Sequence, residues 1–176
     1  MDLGAISEAQ EIAVKPSFAG RIREMNQMYR LPVNDFPLMP RDAVLKLQNF
    51  KKTLTGEVIE INEVIDAAND SVPELIILTM MADLLGDIMV YCRSEALKYG
   101  IPLEAVLDII MDSNSSKLGA DGQPIYNEEG KFLKGPNYWK PERRIAHLLH
   151  SRQPGWLPPN TPPDCIDTYF PETVKK

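Results

Sequence analysis

Apolar and polar positions along this chain follow a helical period. From about Arg41 to Asn69, Leu54, Val58, Ile61, Ile65 and Ala68 recur at alternating spacings of four and three, which predicts a long helix with one stripe to bury. Upstream, "FAGRIREMNQMYRL" sets Ile22, Met25, Met28 and Tyr29 at helical spacing before "PVNDFPLMP", with its three prolines, breaks the pattern. Ser71 in "NDSVP" is the expected N-cap of a helix that begins near Pro73 and runs to about Tyr99, where "YGIP" supplies a closing glycine and proline. A shorter helix follows in "LEAVLDIIMDS".

After Ser113 the pattern changes. Asp-Gly and Glu-Gly turn signals surround "PIY" and "KFL", which predicts a small hairpin or ordered loop. "PERRIAHLLHSR" reads as a last helix, and its His147 and His150 as ordinary helix residues, since no third soft ligand lies near them in sequence. The proline-rich end, "QPGWLPPNTPPDCIDTYFPETVKK", is expected to be irregular and to pack along the body through Trp156, Tyr169 and Phe170. The fold class is therefore all-α: a bundle of four to five helices with a hairpin or loop insertion and an irregular tail. The expected divisions are a loosely ordered segment 1–16, a helical domain 17–150 and a packed tail 151–176.

With 176 residues, 44% of them hydrophobic, the chain can bury one sizeable core. A net charge of -6 argues against a nucleic-acid backbone as partner. The two cysteines, Cys92 and Cys165, sit in unlike contexts without metal-ligand spacing, and the first residues show no basic region leading into an apolar one; a reduced, cytoplasmic protein is expected. "LIILTMMADLLGDIMVYC" approaches membrane-spanning length, but Asp83, Gly86 and Asp87 in its middle favour a core helix over a membrane segment.

Those two aspartates carry the chemistry. They stand four residues apart on one face of an otherwise apolar helix, where unpaired carboxylates are costly and each raises the pKa of the other. On the preceding helix Glu57, Glu60, Glu63 and Asp66 recur every third residue and walk around its circumference. Glu57 falls at the border of the apolar stripe with Glu60 a little further out, whereas Glu63 and Asp66 belong to a solvated face. Two inward acidic pairs on neighbouring helices form a cluster that magnesium, a hard oxygen-seeking cation, can hold together. Lysine or arginine partners are the alternative; a di-iron site would need Glu-x-x-His motifs, which the chain lacks.

"GEVIE" followed by "DLLGDIMVY" resembles the paired acidic motifs of the all-α nucleoside triphosphate pyrophosphohydrolases, the superfamily that includes MazG, the helical dCTP and dUTP pyrophosphatases and the phosphoribosyl-ATP pyrophosphohydrolase of histidine biosynthesis. "ALKYGIPLEAVLDIIMDSNSSKLGADGQPIYNEEGKFLKGPNYWKP" is similar to the phosphoribosyl-ATP pyrophosphohydrolase-like family, and the resemblance spans about Ile22 to Leu149. It implies a hydrolase dependent on Mg2+ (or Mn2+) that converts a (d)NTP to the monophosphate and pyrophosphate. Glu57, Glu60, Asp83 and Asp87 match its metal-binding carboxylates, with Glu57 and Glu60 also catalytic. Asn114 and Lys117 match a segment closing over the substrate, and Lys134 and Tyr138 a later substrate loop. The chain departs from the pattern at Gly56, where many relatives carry a second glutamate beside the one at Glu57. That departure motivates the alternative of a non-catalytic nucleotide-binding or assembly protein on the same scaffold. A homodimer is expected, because a wholly apolar central helix has more face to bury than a thin bundle covers, and because the family commonly dimerises.

Overall fold

The computed structural model describes residues 16–152 and 164–171. Six helices and one two-stranded antiparallel sheet follow one another as α1 (Phe18–Met28), α2 (Ala43–Asn69), α3 (Glu74–Lys98), α4 (Leu103–Ser115), β1 (Ile125–Tyr126), β2 (Phe132–Leu133), α5 (Glu142–Ser151) and α6 (Asp164–Tyr169). The all-α class is borne out, with the small hairpin where the turn signals place it. Ile125 pairs with Leu133 and Tyr126 with Phe132. The loop between them is closed by the Asn127 side chain, which accepts from the amides of Glu129 and Lys131, and by Gly130 at positive φ.

Helices α2 and α3 pack along each other, α1 lies on α3, and α5 packs on both α4 and α6. Three helices end in the same hydrogen-bonded motif. A residue at positive φ follows the C-cap, and the next amide reaches back to the third-last helical carbonyl: Leu31 to Asn26, Val72 to Ala67, and Ile101 to Ala96. The residues at positive φ are Arg30, Ser71 and Gly100. Ser71 is thus the turn residue ending α2, with φ at 57°, and not the N-cap of α3; that position falls to Pro73. A left-handed serine is strained where glycine is not, so Ser71→Gly is expected to raise stability by about 0.5–1 kcal/mol. An unchanged or lower urea midpoint would refute this.

The core differs from the one the pattern predicts. Buried apolar residues among those described are Ile22, Val64, Leu84, Ala96, Leu97, Tyr99, Val106 and Ile166. The stripe expected on α2 faces outward instead: Val58 is 58% exposed, and Ile61, Ile65 and Ala68 are exposed with it. The line turned to α3 runs through Glu57 and Val64, about one residue out of phase. Helix α3 is also unevenly covered. Residues 93–97 are all buried, whereas Leu75 (73% exposed), Leu78, Leu85 and Met89 (61%) stand open. By length and composition α3 is long and apolar enough to cross a membrane, and 6% of its most apolar window is buried. Asp83 and Asp87 are exposed within that window, not enclosed by apolar neighbours as expected.

In α1, Ile22 is buried as predicted, but Met28 and Tyr29 are exposed. Their place in the core is taken by Asn26, fully buried at 0% exposure, whose amide donates to the Ser94 carbonyl and whose oxygen accepts from the Ser94 hydroxyl at 2.7 Å. The C-terminal segment is not wholly irregular, since "DCIDTY" forms α6. Ile166 is buried, and Arg143 of α5 binds Asp167 and donates to the Phe170 carbonyl. Tyr169 is 77% exposed, and Phe170 is also exposed. Trp156 and the segment 1–15 lie outside the described residues.

Candidate active site

Because Glu57 lies on the line of α2 that meets α3, its carboxyl is enclosed: the residue is 7% exposed, and Oε2 is buried without a hydrogen-bond partner. Its pKa is raised above the ordinary 4.5, first by burial and then by the charges of Glu60, Asp87 and Asp83. Those three influences identify its neighbours. Glu60 lies three residues further along α2, while Asp83 and Asp87 lie one turn apart on α3, and all three are exposed. Three of the predicted carboxylates, Glu60, Asp83 and Asp87, thus act electrostatically on the fourth, Glu57. Glu63 and Asp66 are exposed, in keeping with the solvated face assigned to them.

Sequence reasoning missed one member. Tyr91, a turn beyond Asp87 on α3, has its phenol pushed above the ordinary value by burial and by Glu57, Asp87 and Glu60. The signal was its spacing of four from Asp87, which extends the row begun by Asp83. A phenol there remains protonated and can donate a hydrogen bond into an acidic site.

The donor set consists of carboxylate oxygens, which suit a hard divalent cation. Oε2 of Glu57 is a buried acceptor without a hydrogen-bond partner. Among the described residues, no three His, Cys, Asp or Glu side chains are gathered so as to hold an ion.

The residues matched to substrate contacts form a separate unit. Lys117 Nζ donates to Asn114 Oδ1 at 2.7 Å, and Lys134 Nζ sits 4.5 Å from the centre of the Tyr138 ring. Backbone and serine bonds join the two segments. The Gly135 amide donates to the Lys117 carbonyl at 2.7 Å, Ser113 Oγ donates to the Trp139 carbonyl at 2.8 Å, and the Trp139 amide donates to Ser116 Oγ. A Cβ on Gly135 would overlap the Leu118 carbonyl, so this close approach requires glycine. The four predicted contacts thus belong to one cradle, but α4, which carries part of it, packs on α5 and not on the carboxylate-bearing α2.

Among solved structures the chain has distant likenesses. No protein-family model matches the chain, and no curated protein matches it. A crystal structure of a "putative NTP pyrophosphohydrolase" from Exiguobacterium sp. 255-15 is similar over 78% of this chain and 97% of that one, at 21% identity and a TM-score of 0.43. A likeness at that level carries no inference about this chain's chemistry.

Proposed function

We propose that the chain is a metal-dependent nucleoside triphosphate pyrophosphohydrolase, converting a (d)NTP and water to the monophosphate and pyrophosphate. The observation that carries this reading is Oε2 of Glu57, buried without a hydrogen-bond partner in a carboxyl whose pKa is raised by burial and by the charges of Glu60, Asp87 and Asp83. Charge of that density calls for a positive ligand that itself attracts phosphate. The carboxylates of Glu57, Glu60, Asp83 and Asp87 would hold Mg2+ or Mn2+. When bound, such an ion neutralises triphosphate oxygens and acidifies a coordinated water.

The chain's own groups do the rest. Glu57 and Glu60, on the α2 face toward the site, orient the attacking water and accept its proton as oxygen bonds to the α-phosphorus and the bond to the bridging oxygen breaks. Burial raises the basicity of Glu57, which favours that role. The Tyr91 hydroxyl donates toward oxygens in the site, and Lys117 balances charge on the departing pyrophosphate. Pyrophosphate release from a panel of dNTPs with magnesium, and with EDTA as control, tests the reading. Magnesium binding without turnover of any nucleotide would establish the non-catalytic alternative.

The functional unit in this proposal is a homodimer. Two packed helices that leave Val58, Ile61, Ile65, Leu75, Leu78 and Met89 open present more apolar surface than a soluble monomer leaves uncovered. The exposed aspartates within α3 make a second protein chain a better cover than lipid. In the proposed pairing the α4 cradle of one chain meets the carboxylates of the other, while within a chain α4 packs on α5. Light scattering that reports a monomer at micromolar concentration, or partition of the chain into detergent, contradicts this.

Lys117→Ala is expected to lower kcat/KM at least about tenfold, about 1.4 kcal/mol of transition-state stabilisation, with little change in metal affinity without nucleotide. Wild-type kinetics would reduce the α4 cradle to a structural loop. Mixing Lys117→Ala chains with Asp87→Asn chains should restore activity, because one of the two shared sites is then intact.

A further inference from the structure

Adjoining the α4 cradle, and sharing Tyr138 and Trp139 with it, lies a cleft of about 750 Å3 between the loop after β2, helix α5 and helix α6. Its chemistry is opposite to that of the carboxylate site. Four aromatic residues line it, Tyr138, Trp139, Tyr169 and Phe170, together with Lys140 and Arg144. The Arg144 guanidinium lies over the Trp139 ring, 3.6 Å from its centre, which fixes the orientation of both groups. Arg143 also lines the cleft but is bound to Asp167 and the Phe170 carbonyl, so it ties the wall of α6 to that of α5. Lys140 and His147 line the cleft and enter none of the ion pairs found among the described residues. Glu142 is the one carboxylate among the described lining residues.

The volume is in the range of small-molecule sites, which are concave and largely aromatic or apolar, with a few polar groups. The exposed rings of Tyr169 and Phe170 leave aromatic faces open at this cleft. Aromatic faces accept a planar ring with little regard to its identity, and a guanidinium and an ammonium beside them match a single phosphate group. We propose that this cleft is a second ligand site that takes a nucleoside monophosphate, with the base among the aromatic side chains and the phosphate at Lys140 and Arg144. The site requires neither metal nor the carboxylates of α2 and α3, and it stands whether or not the chain is a hydrolase.

Calorimetric titration of the full chain in EDTA tests it, with AMP, CMP, adenosine and inorganic phosphate as separate probes. AMP and CMP should each saturate one site per chain with Kd below about 1 mM, while adenosine and phosphate alone bind at least about tenfold more weakly. Lys140→Glu and Arg144→Gln should each weaken AMP at least about fivefold and Tyr169→Ala by a similar factor, whereas Glu142→Gln should tighten it. Asp87→Asn should leave it unchanged, because that residue belongs to the other site. The proposal is overturned if neither monophosphate saturates below about 10 mM, or if phosphate alone binds as well as AMP, which would leave a simple anion site. It is equally overturned if Asp87→Asn abolishes binding, which would move the nucleotide to the carboxylates, or if the Lys140, Arg144 and Tyr169 variants all bind like wild type. Circular dichroism of each variant separates loss of binding from loss of fold.

Discussion

Asp87→Asn and Glu57→Gln are each expected to lower magnesium-dependent pyrophosphate release at least about a hundredfold, more than loss of an outer-shell partner costs a metal site. Both remove a negative charge from the group that surrounds Oε2 of Glu57, and neither changes side-chain volume enough to disturb the packing of α2 on α3. The pH dependence of the metal-free protein provides an independent readout. Because the folded-state pKa of Glu57 is raised above 4.5, the native state binds more protons than the unfolded one between these values, and stability contributed by this group falls as pH rises through that window. Above the raised pKa the loss is complete. Glu57→Gln removes this decline, so the apo variant is expected to be more stable than wild type near neutral pH and the same or less so in acid. Glu63→Gln, exposed and outside the group, should leave turnover unchanged. A complete loss there, or wild-type turnover in Asp87→Asn, would refute the site.

The largest effect on stability is expected at Gly100. It closes α3 with φ at 64°, and a Cβ there would run into the backbone of Phe36. That segment is laid across the helix end by three bonds: the Asn34 amide donates to the Leu97 carbonyl, the Leu38 amide to that of Tyr99, and the Asn34 side chain to that of Lys98. Gly100→Ala combines left-handed strain with a clash against backbone that cannot move without breaking those bonds, so about 3 kcal/mol or more should be lost. Gly56→Ala is the opposite case. A Cβ at Gly56 meets nothing within 4 Å in mid-helix, so the same substitution should stabilise by about 0.5–1 kcal/mol. Similar urea midpoints for the two variants would contradict both assignments.

The end of α3 and the small hairpin were legible because glycine, proline and Asx chemistry act locally, whereas the left-handed turns at Arg30 and Ser71, which use no glycine, were not. That Glu60, Asp83 and Asp87 act on Glu57 has a related reason: spacing along two adjacent helices determines what can face what. The phase of α2 was not. Its outer stripe, Val58 to Ile65, is more continuously apolar than the line through Glu57 and Val64, so periodicity alone selects the wrong face when a helix has a second apolar face beyond the one its own chain covers. Asn26 escaped notice since asparagine is ordinarily a surface residue, and only the Ser94 backbone and hydroxyl, far along the chain, explain its burial. The α6 segment, six residues between prolines, was too short to register.

The uneven cover of α3 gives the helix two regimes of amide protection. Residues 93–97 are enclosed by α1 and the Asn34–Leu38 segment, and the Arg93–Glu104 ion pair ties them to α4. In a single chain the first half of the helix rests on α2 along one line, through Leu84 and its neighbours. Its backbone bonds can therefore open locally without unfolding the other end. Deuterium should enter the amides of the first three turns early and those around Leu97 only on global opening. Since Asp83 lies on the yielding side of that boundary and Tyr91 close to the anchored end, the carboxylate row spans a gradient of rigidity along one continuous helix.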